Sequence, residues 1–363
     1  MPLPFPFLRT VSRCGDRRLG ARRDEEASAP KEGSLQVDVS SSNQAAAVYY
    51  AQYPNQWAKI RETIREPAAE MLGTMILILV GTGVNCQFAL SADVDLSPSP
   101  KGSYLGFNFA WGCGAALGVW VCGGVSGGHI NPAVTLSMAV FRGLPWLKAV
   151  TYIFGQLIGA WLGALIVFAN YSRAINIFEG GNGQRTLKSA GLFSTYPLAY
   201  MSSANCFFDE FVGTFVLVFV VFAVSDGRNS GLHPGLIPLA IFIVILGIGA
   251  AFGMQTGYAV NPARDLGPRI MTAMVGYGAQ VFTFRHHYWI WGPVIGSCCG
   301  GLVASLLYDL FIFRGPESFV NRPNASARAY AMRQERREYA IHGGGPPASA
   351  ETPPGERTNT LEV

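Results

Sequence analysis

Two tripeptides stand out for the chemistry they can do: Asn131-Pro132-Ala133 and Asn261-Pro262-Ala263. An asparagine amide carries two N–H donors and one acceptor oxygen, and proline fixes the backbone of a first helical residue. Asn as cap followed by Pro therefore starts a helix. The chain continues PAVTLSMAVF after Asn131 and PARDLGPRIMTAM after Asn261. Each segment gives about 11–13 residues, or about 16–20 Å of helix, roughly half of a bilayer's hydrocarbon core. Neither can cross. Two half-helices entering from opposite faces, N-termini meeting near the midplane, account for the duplication; a pair of amphipathic surface helices does not. Facing N-termini concentrate positive potential, and their free N–H groups together with the Asn131 and Asn261 amides donate to a passing oxygen. A cation is repelled there, and a water held by two donors breaks a proton wire.

Such half-helices need a membrane scaffold around them. Half of the 363 residues are hydrophobic and 14% are charged, against about 25% charged in an average soluble domain. Six apolar segments, roughly 67–90, 104–125, 146–170, 206–225, 235–257 and 288–313, each hold about 20 residues or more, enough to span. Their continuous rather than alternating apolar character makes them helices, not barrel strands. The expected fold is an all-α membrane protein with six transmembrane helices plus two re-entrant half-helices.

The two halves echo each other. Ala69-Glu70-Met71-Leu72-Gly73-Thr74-Met75 in the first span matches Asp209-Glu210-Phe211-Val212-Gly213-Thr214-Phe215 in the fourth. Gly155, Gly159 and Gly163 in the third match Gly292, Gly296 and Gly300 in the sixth, both at four-residue spacing on one helix face, which lets backbones approach. Three spans per unit is an odd number, so the repeats (about 67–170 and 206–313) have inverted topology.

Charge is concentrated outside the spans. Residues 1–66 hold ten of the 27 Lys and Arg, residues 314–363 hold seven, and the intervening stretch holds ten. Residues 1–66 and 314–363 read as mostly disordered tails. Lys59, Arg61, Arg65 and Arg314 flank the outermost spans, whereas 91–103 carries Asp93, Asp95 and only Lys101, so both termini are expected in the cytoplasm. The net charge of +4 suggests no nucleic-acid partner.

The loops SGGHINPAVT and GYAVNPARDLGP resemble the two signature loops of the aquaporin (major intrinsic protein) family, and NPARD resembles its glycerol-facilitator branch. The resemblance covers about 67–313. It implies a homotetramer with one pore per subunit, no cofactor, a plasma-membrane location, and glycerol, water and similar small neutral solutes as the species passed. It also implies a selectivity filter of four residues: Trp111, Gly249, Tyr258 and Arg264. A water-selective member usually has His where Gly249 stands, so the filter is expected to be wider, with Trp111 and Tyr258 as an apolar corner and Arg264 as hydroxyl donor. The bland alternative for Arg264 is an ion pair with its neighbour Asp265. Glu70 and Glu210 are expected to accept hydrogen bonds from the re-entrant loops, and His129 to offer its backbone to the pore while its ring packs.

Other classes fit less well. There is no H-E-x-x-H, G-x-S-x-G or P-loop for an enzyme, and no histidine pair at ligand spacing for a metal. Val275-Gly276-Tyr277-Gly278 echoes a potassium filter but follows Met274 instead of the required threonine and reads as an outer turn. An ion-coupled transporter would want a spare intramembrane carboxylate. A predominantly water-selective pore is the nearest alternative.

Overall fold

The computed structural model describes residues 53–341. Contacts divide the chain into Met1–Ala58 and Lys59–Val363, and the fold below concerns the second unit. Most of the expected N-terminal tail lies outside the described residues.

Every regular element among the described residues is helical. Six helices are long and apolar enough to span: Gln56–Leu90, Tyr104–Ser126, Trp146–Phe178, Ser203–Ser225, Pro234–Thr256 and Ile290–Phe311. Their ends follow from local chemistry. Ser103 and Ser202 accept hydrogen bonds from Gly106 N and Asn205 N, capping the second and fourth spans. The second and fifth spans stop at Gly127 and Gly257, both left-handed at φ 94° and 88°, a conformation that suits glycine. Between spans sit two short helices, Pro132–Phe141 and Pro262–Thr272, each opening on its proline with asparagine as cap.

The glycine stripes set the helix packing. A Cβ on Gly155 or Gly163 would approach Pro67 O at 2.5 Å or Met75 O at 2.7 Å, and one on Gly159 would strike Met71 O. Gly296 and Gly300 stand in the same relation to Phe207 O and Phe211 O of the fourth span. The third span thus lies on the first and the sixth on the fourth, at a separation only glycine allows. Gly292 departs from the expected stripe: it sits in a widened turn around Pro293, and a Cβ there would meet Tyr288 instead of the fourth span.

Each half-helix packs on the last span of the other repeat. Gly267 lies against Ala160, Trp161 N and Leu157 O of the third span, and Gly301 of the sixth against Ser137 and Ala133 O.

Two regions differ from expectation. The first helix begins at Gln56, well before residue 67, and the expected C-terminal tail carries a helix at Ala325–Ile341. That segment, ASARAYAMRQERREYAI, is too polar to join a core, yet Ala, Arg, Glu, Gln and Met are strong helix formers and the Asn324 side chain accepts from Ala327 N to start it. The Val275–Gly278 stretch straddles the end of a widened helical turn, Ala273–Tyr277, broken at Val275 and Gly276, and its Tyr277 hydroxyl lies 2.6 Å from Ser189 Oγ.

Candidate functional site

The two asparagines meet, and each clasps the other's loop. Asn131 Nδ2 donates to Val260 O at 2.9 Å, and Asn261 Nδ2 donates to Ile130 O at 2.8 Å. Their acceptor oxygens are spent on their own helices: Asn131 Oδ1 takes Ala133 N at 2.9 Å, and Asn261 Oδ1 takes Ala263 N at 3.0 Å and Arg264 N at 3.2 Å. Ile130 and Val260, immediately before the asparagines, sit at φ 43° and 42°. A β-branched residue in that region is strained and must be held there.

Two carboxylates hold them. Glu70 accepts His129 N at 2.9 Å, Ile130 N at 2.6 Å, Ser126 Oγ at 2.5 Å and Gln156 Nε2 at 2.8 Å. Glu210 accepts Ala259 N at 3.0 Å and Val260 N at 2.8 Å. Both are fully buried. A loop N–H without such an acceptor would cost about 1–3 kcal/mol, so each glutamate fixes the loop that aims a carbonyl at the opposite asparagine. The His129 ring packs on Tyr152, with Nδ1 3.1 Å from Thr135 Oγ1.

A cavity of about 280 Å³ runs past this junction. Trp111, Tyr258 and Arg264 line one end, Asn131 and Asn261 the middle, and Met138, Ser225 and Ile237 the other end. Its walls between are aliphatic, Val119, Leu217, Ile241 and Ile245 among them. A second cavity of about 220 Å³ shares Met138 and Ser225 and is lined by Arg142, Asp226, Arg228 and Glu317, giving that end a charged mouth.

At the first end Trp111 and Tyr258 meet edge to face, ring centroids 6.4 Å apart, and the Arg264 guanidinium stacks 4.2 Å from the Trp111 ring. Arg264 Nη1 donates to Phe193 O at 3.3 Å. Both aromatic polar ends are engaged inside the protein: Trp111 Nε1 donates to Asn85 Oδ1 at 2.9 Å, and the Tyr258 hydroxyl donates to Asn108 Oδ1 at 2.8 Å. Three of the four expected filter residues therefore come together on the cavity. Gly249 does not line it. A Cβ there would strike Asn108 Oδ1 and lie 2.7 Å from Tyr258 Cζ and 2.8 Å from its hydroxyl oxygen, so the Tyr258–Asn108 pair occupies the room that the missing side chain leaves.

Asp265 turns away from Arg264. It forms a two-point ion pair with Arg269 (2.9 Å on each oxygen) and accepts Thr195 N and Oγ1, both at 2.7 Å. Arg269 also donates to Val281 O and Thr195 O at 2.7 Å each and stacks on Tyr196. This fully buried arginine was missed in the sequence, although its i, i+4 spacing from Asp265 on a helix was the signal for it. Asn85 and Asn108 had no such local signal. Among the described residues no cluster of three or more His, Cys, Asp or Glu could hold a metal.

The sequence pattern of the family described as Major intrinsic protein matches residues 56–308. Aquaporin-6 of Laccaria bicolor is 53% identical over 274 residues, covering 76% of this chain and 88% of its own length. An aquaglycerol porin of Saccharomyces cerevisiae is 46% identical over 272 residues, covering 75% of this chain and 41% of its own. The X-ray structure of the aquaglyceroporin from Plasmodium falciparum superposes with a TM-score of 0.60 at 29% identity, covering 69% of this chain and 96% of that one.

Proposed function

The chain belongs to the major intrinsic protein family, and from that premise we propose that it is a passive channel passing glycerol, other small neutral solutes and water while excluding ions and protons. The carrying observation is the reciprocal clasp. Because each asparagine oxygen is spent on its own helix and one N–H on the opposite loop, the remaining N–H can only donate. A solute oxygen passing there accepts from both sides, so a water cannot relay a proton in line, and the two helix N-termini repel cations.

Trp111, Tyr258 and Arg264 act as the selectivity filter in this reading. With the indole and phenol polar ends engaged elsewhere, carbon atoms of a polyol slide past ring surface while hydroxyls meet Arg264. A predominantly water-selective pore is the second reading, favoured by one observation: Tyr258 fills the space beside Gly249. Exposed apolar side chains such as Phe109, Leu147, Phe154 and Ile243 suit lipid and neighbouring copies, in keeping with a homotetramer in a bilayer. The distribution of Lys and Arg favours cytoplasmic termini, and the family branch favours the plasma membrane.

Stopped-flow light scattering on vesicles carrying the full chain tests this. Glycerol flux should be linear in concentration and independent of ion gradients. Trp111→Ala with Tyr258→Ala should loosen discrimination between polyols of different length by roughly tenfold, the effect of about 1.4 kcal/mol; an unchanged ranking overturns the filter assignment.

A further inference from the structure

Tyr258 is gripped from behind. Its ring lies along a groove on the fifth span where side chains are missing: a Cβ on Gly249 would meet Cζ, and one on Gly253 would meet Cδ1 at 2.7 Å. The ring lines the cavity while its hydroxyl reaches the second span and donates to Asn108 Oδ1. Asn108 is fully buried and lies outside the cavity lining. Its Nδ2 makes no hydrogen bond of good geometry, although the Tyr104 hydroxyl lies beside the amide. The nearby Gly249 carbonyl already accepts from the Tyr104 hydroxyl at 3.2 Å.

A buried amide with a poorly satisfied donor is costly, and Leu would fill the same room without that cost. What Asn supplies and Leu cannot is an acceptor for the phenol. We propose that Asn108 is a specificity-determining positioning residue: by holding the Tyr258 hydroxyl behind the pore wall, it makes that wall present ring surface to the solute. The inference rests on the filter reading above and deepens it. Without the acceptor, the buried hydroxyl loses its partner, and solute or water in the lumen becomes one group it can turn to. The corner facing Arg264 then turns polar on both sides, which helps water and penalises the carbon side of a polyol.

The test compares the glycerol-to-water permeability ratio of the full-length protein in vesicles for Tyr258→Phe, Asn108→Leu and the double variant. Tyr258→Phe, which removes the hydroxyl and keeps the ring, should shift the ratio by less than Asn108→Leu does, because no unpaired hydroxyl is left to turn into the lumen. Asn108→Leu should lower it about fivefold, the effect of one net hydrogen bond. The double variant should recover to the ratio of Tyr258→Phe alone, because no hydroxyl remains to be misplaced. A Tyr258→Phe change as large as that of Asn108→Leu, an unchanged ratio in Asn108→Leu, or a double variant that does not recover each overturns the proposal. Where Asn108→Leu does not fold, Asn108→Ala removes the same acceptor without added bulk and takes its place, with the same expected and overturning results. Tyr258→Ala separates the two levels: if it leaves the solute ranking unchanged, the filter reading itself has failed.

Discussion

The two half-helices share a plan and differ in content. Pro132–Phe141 carries no charge, whereas Pro262–Thr272 carries Arg264, Asp265 and Arg269, all buried. Cap, proline, left-handed residue before the cap and glutamate acceptor recur in both. The repeated part builds the junction; the charged part is confined to the half that reaches the aromatic end of the cavity. The shared plan therefore supplies the scaffold, and the charged residues of one copy supply a polar site without disturbing the other.

Four experiments probe this contrast, from the largest expected effect down. Glu70→Leu and Glu210→Leu should damage both halves alike, because each strands at least two loop N–H groups; a loss of about 4 kcal/mol, read from thermal unfolding in detergent, is expected. A much milder effect in one half would show that the scaffold is not shared. Arg269→Leu strands the buried Asp265 carboxylate and should cost about 3 kcal/mol, with much of it regained in the Asp265→Leu/Arg269→Leu double variant. The first half-helix has no equivalent pair, so failure of the double variant to recover would mean that the contacts of Arg269 to Val281 O and Thr195 O matter more than the ion pair.

Arg264→Ala addresses function in the second half alone. Monovalent cation or proton leak in bilayer current recordings should rise on the order of tenfold, equivalent to about 1.4 kcal/mol of barrier. No added leak would leave ion exclusion to the clasp and the helix ends. The smallest effect concerns the loop between the repeats. Burial would raise the Glu179 carboxyl, but hydrogen bonds from Ser189 and Thr186 outweigh it and hold the group below its ordinary value of 4.5. The folded pKa is depressed, so this stabilisation is present above pH 4.5 and is lost as pH falls through the lower folded value. Amide exchange around Leu187–Ala190 should speed up only in that acid range, and Glu179→Gln should abolish the pH dependence.

What the sequence disclosed was whatever repeats or is local. Six spans, inverted repeats and two capped half-helices are written in apolar runs, glycine spacing and an Asn-Pro step, all readable within a few residues. Contacts between distant residues were not readable. Asn108 and Tyr258 lie far apart in the chain, as do Asn85 and Leu192, and nothing around either asparagine marks it as the partner of a filter ring. Gly249 shows the limit most clearly. A missing side chain predicted open space, yet volume is decided by whichever neighbours move in, and here they are Tyr258 and Asn108. The alternative of an Arg264–Asp265 pair fails for a simpler reason: helix geometry brings Arg269 to the side of Asp265 one turn later.

The reciprocal clasp also bears on biogenesis. Neither repeat can finish its own loop, because Ile130 O and Val260 O each receive their amide from the other repeat. Translation delivers the first repeat long before its counterpart exists, so that loop must wait, incompletely ordered, until the second arrives. A gene split within 171–205 should yield two fragments that are unstable apart and mend each other only when made together.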